Sequence, residues 1–163
     1  MFKLITLMRH GHYEFRDLSD LGKKQAADIA TKLIVAKAVP QALISSPVPR
    51  AEQTARVLQD AFKATAGQDV PIKVFQWLHC DEFPAVKNFS DLDSEPETAS
   101  VDDILVVTHQ PQVESLSSYF NLHHSPFHAE ARRYEVGAEK MWGQLRPDTA
   151  KLCREFKPEI LSR

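Results

Sequence analysis

The feature that most constrains the fold is an alternation of two periods along the chain. Residues 2–7 (FKLITL), 42–45 (ALIS), 72–75 (IKVF) and 103–108 (DILVVT) are short apolar runs of strand length. Stretches with helical spacing lie between and after them. In residues 18–38, Leu21, Ala26, Ile29, Ala30, Leu33 and Ile34 share one face, with Ser19 as the cap and Pro40 as the stop. Pro49 suits a first helical turn, and Ala51, Thr54, Ala55, Leu58, Ala61 and Phe62 then share one face. Pro111 opens a further helix with Val113, Leu116 and Phe120 inward. Residues 131–136 and 141–145 predict a hairpin across residues 137–140. Residues 79–102 read as a connection, solvated around Asp91, Asp93, Glu95 and Glu97. The last fifteen residues carry no clear pattern.

This order predicts an α/β fold. It is a three-layer α/β/α sandwich around a mostly parallel sheet, with the hairpin as an antiparallel edge. A chain of 163 residues is expected to form one domain, residues 1–163. Lys and Arg number 20 against 22 Asp and Glu, so no broad basic footprint exists for nucleic acid or an anionic membrane. Two Cys without CxxC spacing make neither a disulfide framework nor a Cys-rich zinc module. The longest uninterrupted apolar runs, such as residues 33–36 and 104–107, are too short to span a bilayer. Lys3 and then Arg9-His10 interrupt the apolar N-terminal stretch, and no small-residue cleavage site follows. The expectation is a cytoplasmic protein without a signal peptide.

In open sheets of this kind, ligands bind beyond the carboxyl ends of the strands. There the sequence places Arg9-His10-Gly11-His12, then Ser45-Ser46-Pro47 with Arg50 a turn later, then His79-Cys80-Asp81-Glu82, then His109-Gln110-Pro111. Arg9, Arg50, His10, His109 and the carboxylates of Asp81 and Glu82 are thus expected at one sheet edge. A cation at Arg50 opposes the helix macrodipole. It is either a solvated surface residue or part of an anion cradle made with the backbone N–H groups of the helix start. Arg9 supplies a second planar fork. Neutral His10 between Arg9 and Gly11 is a competent nucleophile toward phosphorus, with Arg holding the equatorial oxygens and His109 donating to them. As a metal pair, His10 and His12 lack further ligands, and the two Arg repel a cation, so no metal is expected. His12 reads as a rim residue. His128, which precedes a strand, lies near the mouth, whereas His123-His124 belong to an exposed loop. Cys80 is expected to be buried and inert, and Trp77 and Trp142 to be packing residues.

These segments resemble the histidine phosphatase, or phosphoglycerate mutase-like, superfamily. The resemblance rests on Leu7-Met8-Arg9-His10-Gly11, on Leu18-Ser19-Asp20-Leu21-Gly22-Lys23-Lys24-Gln25-Ala26, on Ser45-Ser46-Pro47-Val48-Pro49-Arg50-Ala51-Glu52-Gln53-Thr54-Ala55, and on Val106-Val107-Thr108-His109. It implies that His10 is phosphorylated in the reaction, that Arg9, Arg50 and His109 complete the phosphate pocket, and that no metal or organic cofactor takes part. The small size and the His109-Gln110-Pro111 turn are similar to the SixA-type phosphohistidine phosphatase branch. Many members place a Glu after strand three as Leu-x-Glu; here Leu78-His79-Cys80 puts Cys80 there, with Asp81 and Glu82 just beyond as candidate general acids. The expected partner is a phosphorylated small molecule or a phosphohistidine protein. A phosphomutase, or a phospho-ligand binding module with little turnover, are the alternatives, and the oligomeric state stays open.

Overall fold

A computed structural model describes residues 1–79, 84–120 and 125–163. In chain order the elements are β1 (Phe2–Arg9), β2 (Tyr13–Glu14), β3 (Asp17–Leu18), α1 (Asp20–Val35), β4 (Ala42–Ser45), α2 (Pro49–Ala66) and β5 (Ile72–Val74). There follow α3 (Pro96–Ala99), β6 (Asp103–Thr108), α4 (Gln112–Tyr119), β7 (Ala131–Ala138) and β8 (Leu145–Phe156). Ser19 caps α1 by accepting from the Gly22 N–H, and Pro49 occupies the first turn of α2.

Six strands form one sheet in the order β5-β4-β6-β1-β7-β8. The first four run parallel, and β7 and β8 are antiparallel additions. Arg9 ends β1 level with Thr108 of β6, and Ser45 of β4 faces Val107. The chain therefore leaves β1, β4 and β6 side by side at one sheet edge.

Side chains alternate across the sheet with the period of two that the strand runs predict. Met8, Leu43, Leu105 and Val107 pack with Ile29 and Leu33 of α1 and Leu58 and Phe62 of α2. Ile5, Leu7, Ile44, Ile104 and Val106 face the other way, onto Val113, Leu116 and Phe120 around α4 and onto Phe89, Leu92 and Trp142. Burying one such side chain stabilises the fold by about 1.5–3 kcal/mol. These two layers are the expected sandwich. Among the described residues no helix is long and apolar enough to cross a membrane.

Two expectations need correction. The second hairpin strand is not residues 141–145: Trp142–Gln144 is a 3-10 turn, and β8 takes up most of the stretch that had no pattern. It is an edge strand with mostly charged or polar exposed positions, and its pairing to β7 shifts register between Arg133 and Tyr134 and between Glu135 and Gly137. Those shifts erase the two-residue period. Nor is the acidic connection merely solvated. Phe89 and Leu92 within it are fully buried, and the Asp93 carboxylate accepts from the N–H groups of Trp142 and Gly143 at 2.7 and 2.9 Å. Lys73 pairs with Glu95 at 2.9 Å, and Asp103 takes a two-pronged bond from buried Arg133.

Candidate active site

The loop after β1 is fixed mainly by its backbone. The His10 N–H donates to the Thr108 carbonyl at 2.9 Å, and the Gly11 N–H donates to Thr54 Oγ1 at 3.1 Å. The His12 N–H donates to Gln25 Oε1 at 2.9 Å. A Cβ on Gly11 would sit 2.6 Å from the Gly22 carbonyl oxygen, and one on Gly22 would sit 2.0 Å from that of His12. Two backbones touch here, so both positions require glycine.

His10 is buried, with its Nδ1–H donating to the Gly11 carbonyl at 2.7 Å. The carbonyl can only accept, so the proton of the neutral ring sits on Nδ1 and Nε2 carries the unprotonated lone pair. Arg50 Nε donates toward that Nε2 at 3.2 Å. Burial above all, helped by the charges of Arg50 and Arg9, pulls the His10 pKa down to about 3. His10 is therefore neutral near pH 7, as a nucleophile requires.

Arg9 donates from one terminal nitrogen to the Pro126 carbonyl and from the other to His128 Nε2, both at 3.0 Å. Its Nε is buried and has no hydrogen-bond partner among the described residues. The Arg50 guanidinium lies 4.5 Å from the Tyr13 ring centroid, and Tyr13 meets His10 edge-on at 5.3 Å. The His109 ring lies 6.4 Å from that of His10. Its Nδ1–H donates to Gln112 Oε1 at 2.7 Å, and its Nε2 accepts from Ser46 Oγ at 3.1 Å. Burial first, then Arg50, holds His109 below the ordinary histidine range. Burial, then Arg9, takes His128 to about 4. Two guanidinium groups thus face three neutral imidazoles. The chemical complement of that set is an oxyanion.

Arg9, His10, Arg50 and His109, expected together, are together. Asp81, Glu82 and Cys80 lie outside the described residues, as do His123 and His124. His12 is held as structure: its Nδ1 meets Ser19 Oγ at 2.7 Å and its ring packs on His128 at 5.4 Å. Among the described residues no group of three or more His, Cys, Asp or Glu is arranged to hold a metal ion. Sequence reasoning placed His128 near the mouth but missed its bond to Arg9, 119 residues away, and it missed Tyr13 altogether. No spacing rule signals either contact, since both arise from tertiary packing.

Comparison with curated proteins finds no significant match. Among solved structures, the protein histidine phosphatase SixA complexed with tungstate superposes with a TM-score of 0.71 at 20% identity, covering 95% of this chain and 97% of that one. A mycobacterial glucosyl-3-phosphoglycerate phosphatase gives 0.63 at 17% identity, over 93% and 97% of the two chains. A phosphoserine phosphatase from Entamoeba histolytica gives 0.55 at 15%, over 80% and 89%. At such identities the likeness carries the fold and nothing finer. Residues 5–73, which include Arg9, His10 and Arg50, match the family model of the histidine phosphatase superfamily (branch 1). The chain thus has the fold of these solved phosphatase structures, and over residues 5–73 it is similar to the histidine phosphatase superfamily (branch 1).

Proposed function

We propose that the chain is a metal-independent phosphatase that hydrolyses a phosphohistidine, or a small phosphomonoester, through a phosphohistidine intermediate on His10. One observation carries the reading: His10 is neutral, with its proton pinned on Nδ1 and its Nε2 lone pair beside the Arg50 guanidinium. Nε2 attacks phosphorus in line. The bond from phosphorus to the leaving nitrogen or oxygen breaks, and the leaving group keeps the electron pair and takes up a proton. Water then attacks the phosphorus, the Nε2–P bond breaks, a proton is lost and inorganic phosphate departs. Arg9 and Arg50 hold the equatorial oxygens as charge builds. Neutral His109 accepts from Ser46, but an anionic phosphoryl group favours its protonated form, and Nε2–H then becomes a donor to the same oxygens.

Asp81 and Glu82 are the proposed general acids. An alkoxide leaves poorly without such an acid, whereas a phosphoramidate nitrogen can be protonated before its bond breaks. Cys80 stands where many relatives carry Glu, which favours phosphohistidine over an ordinary ester. The test is to incubate wild type and His10→Ala with a radiolabelled phosphohistidine peptide and with an activated aryl phosphate. Wild type is expected to yield an acid-labile phosphoenzyme and free phosphate with both, and the variant neither. EDTA is expected to leave wild-type turnover unchanged. Full activity in His10→Ala would sink the mechanism; tight peptide binding by wild type without phosphate release would favour the binding-module reading.

A further inference from the structure

We propose that Ser162 and His128 form a positioning relay that aims Arg9 at the phosphoryl group, an inference that rests on the phosphatase reading above. The relay begins at the turn before β7. Ala129 there is buried in the left-handed region at φ 60, which a side chain disfavours. Its N–H donates to the His10 carbonyl at 2.9 Å, and the Arg9 N–H donates to the Glu130 carbonyl at 3.2 Å. This turn is therefore tied to the end of β1 on both sides of the nucleophile. It presents the two acceptors that take the terminal nitrogens of Arg9, the Pro126 carbonyl and His128 Nε2.

Hydrogen-bond chemistry then fixes the state of His128. A guanidinium only donates, so Nε2 must be the bare nitrogen and the ring proton must sit on Nδ1. Nδ1 meets Ser162 Oγ at 3.0 Å, and the His128 N–H donates to the Ser162 carbonyl at 2.9 Å. Ser162 is held in turn by Gln25, whose Nε2 donates to Ser162 Oγ and to the Ile160 carbonyl, both at 2.9 Å. The other end of the Gln25 amide accepts from the His12 N–H. One glutamine thus ties the segment after β8 to the loop that carries the nucleophile. The Ser162 hydroxyl oxygen receives Nδ1–H and so keeps Nε2 free for Arg9. Without that hydroxyl the other tautomer becomes competitive, and it points an N–H at a guanidinium that has nothing to accept it.

Ser162→Ala is compared with Ser162→Thr, which keeps a hydroxyl, and His128→Leu with His128→Gln, whose Oε1 can reach the Nε2 position. Inorganic phosphate and tungstate are the probes, read by inhibition and by direct calorimetric binding. Nitrogen-15 NMR of the wild-type histidines reads the tautomer without any substitution. The expected results are the Nδ1–H tautomer at His128 in wild type and weakening of phosphate binding by about tenfold in Ser162→Ala and His128→Leu, the loss of roughly one charge-assisted hydrogen bond. KM should rise by a similar factor with a much smaller change in kcat, and Ser162→Thr and His128→Gln should each retain most of the wild-type affinity. A wild-type His128 protonated on Nε2, or a folded Ser162→Ala that binds phosphate as wild type does, would overturn the relay. The phosphatase reading fails on a separate result, absence of wild-type turnover and phosphoenzyme, which the tautomer and the tungstate affinity do not depend on.

Discussion

His10, His109 and His128 are all held below the ordinary proton affinity of imidazole, and for each the first cause is burial. The consequence for stability has a definite sign. Unfolded imidazoles take up protons near pH 6.5, whereas folded His10 resists to about 3 and His128 to about 4. Below pH 6.5 the unfolded chain therefore binds more protons than the folded one, and stability is lost as pH falls. Each such histidine contributes a slope of up to about 1.4 kcal/mol per pH unit in that interval. Urea unfolding at pH 7.5 and pH 5 should show a clearly lower midpoint at pH 5. Phosphate in the buffer should narrow the difference, because an anion in the pocket favours the protonated rings. Equal midpoints at the two pH values would mean that these rings are solvated.

At the scale of elements, the close approach between the loop after β1 and the start of α1 is the most exacting contact. Gly22→Ala forces a methyl to within 2.0 Å of the His12 carbonyl oxygen, where only a backbone shift relieves the clash. It should cost about 3 kcal/mol or more, and the folded fraction should lose activity because the same shift displaces His10. A thermal melt and an aryl phosphate assay check both. Much of the element layout was legible beforehand for local reasons. Ser19, Pro49 and the DILVVT run each state their own structure through capping, fixed φ or an unbroken apolar face. The site residues at the ends of β1, β4 and β6 were legible because the strand-end rule needs only the order of elements. β8 was not, since an exposed edge strand buries little and its register shifts break the alternation. The tie from Arg9 through His128 to Ser162 was not either, because it joins residues that only the folded sheet brings together.

For the whole molecule, the formal charge of −2 conceals a separation. Arg9 and Arg50 converge on one sheet edge, while Asp93, Glu95, Glu97 and Asp103 are spent on Trp142, Gly143, Lys73 and Arg133 elsewhere. An oxyanion that binds the folded state alone stabilises it by about 2.7 kcal/mol at a hundred times its dissociation constant. Tungstate should therefore raise the melting temperature by several degrees, and Arg50→Ala should remove most of that rise. A variant that melts higher in tungstate as wild type does would place the anion elsewhere. The loop that carries His10 has a further property. Its amide protons at His10 and Gly11 are given to Thr108 in the central sheet and to Thr54 on α2, so no local opening frees them without parting the sheet from the helix. These two amides should exchange with deuterated solvent as slowly as the core strands do. Titrated with urea, catalysis and tryptophan fluorescence should then fail at one midpoint, leaving no window in which the protein is folded but inert.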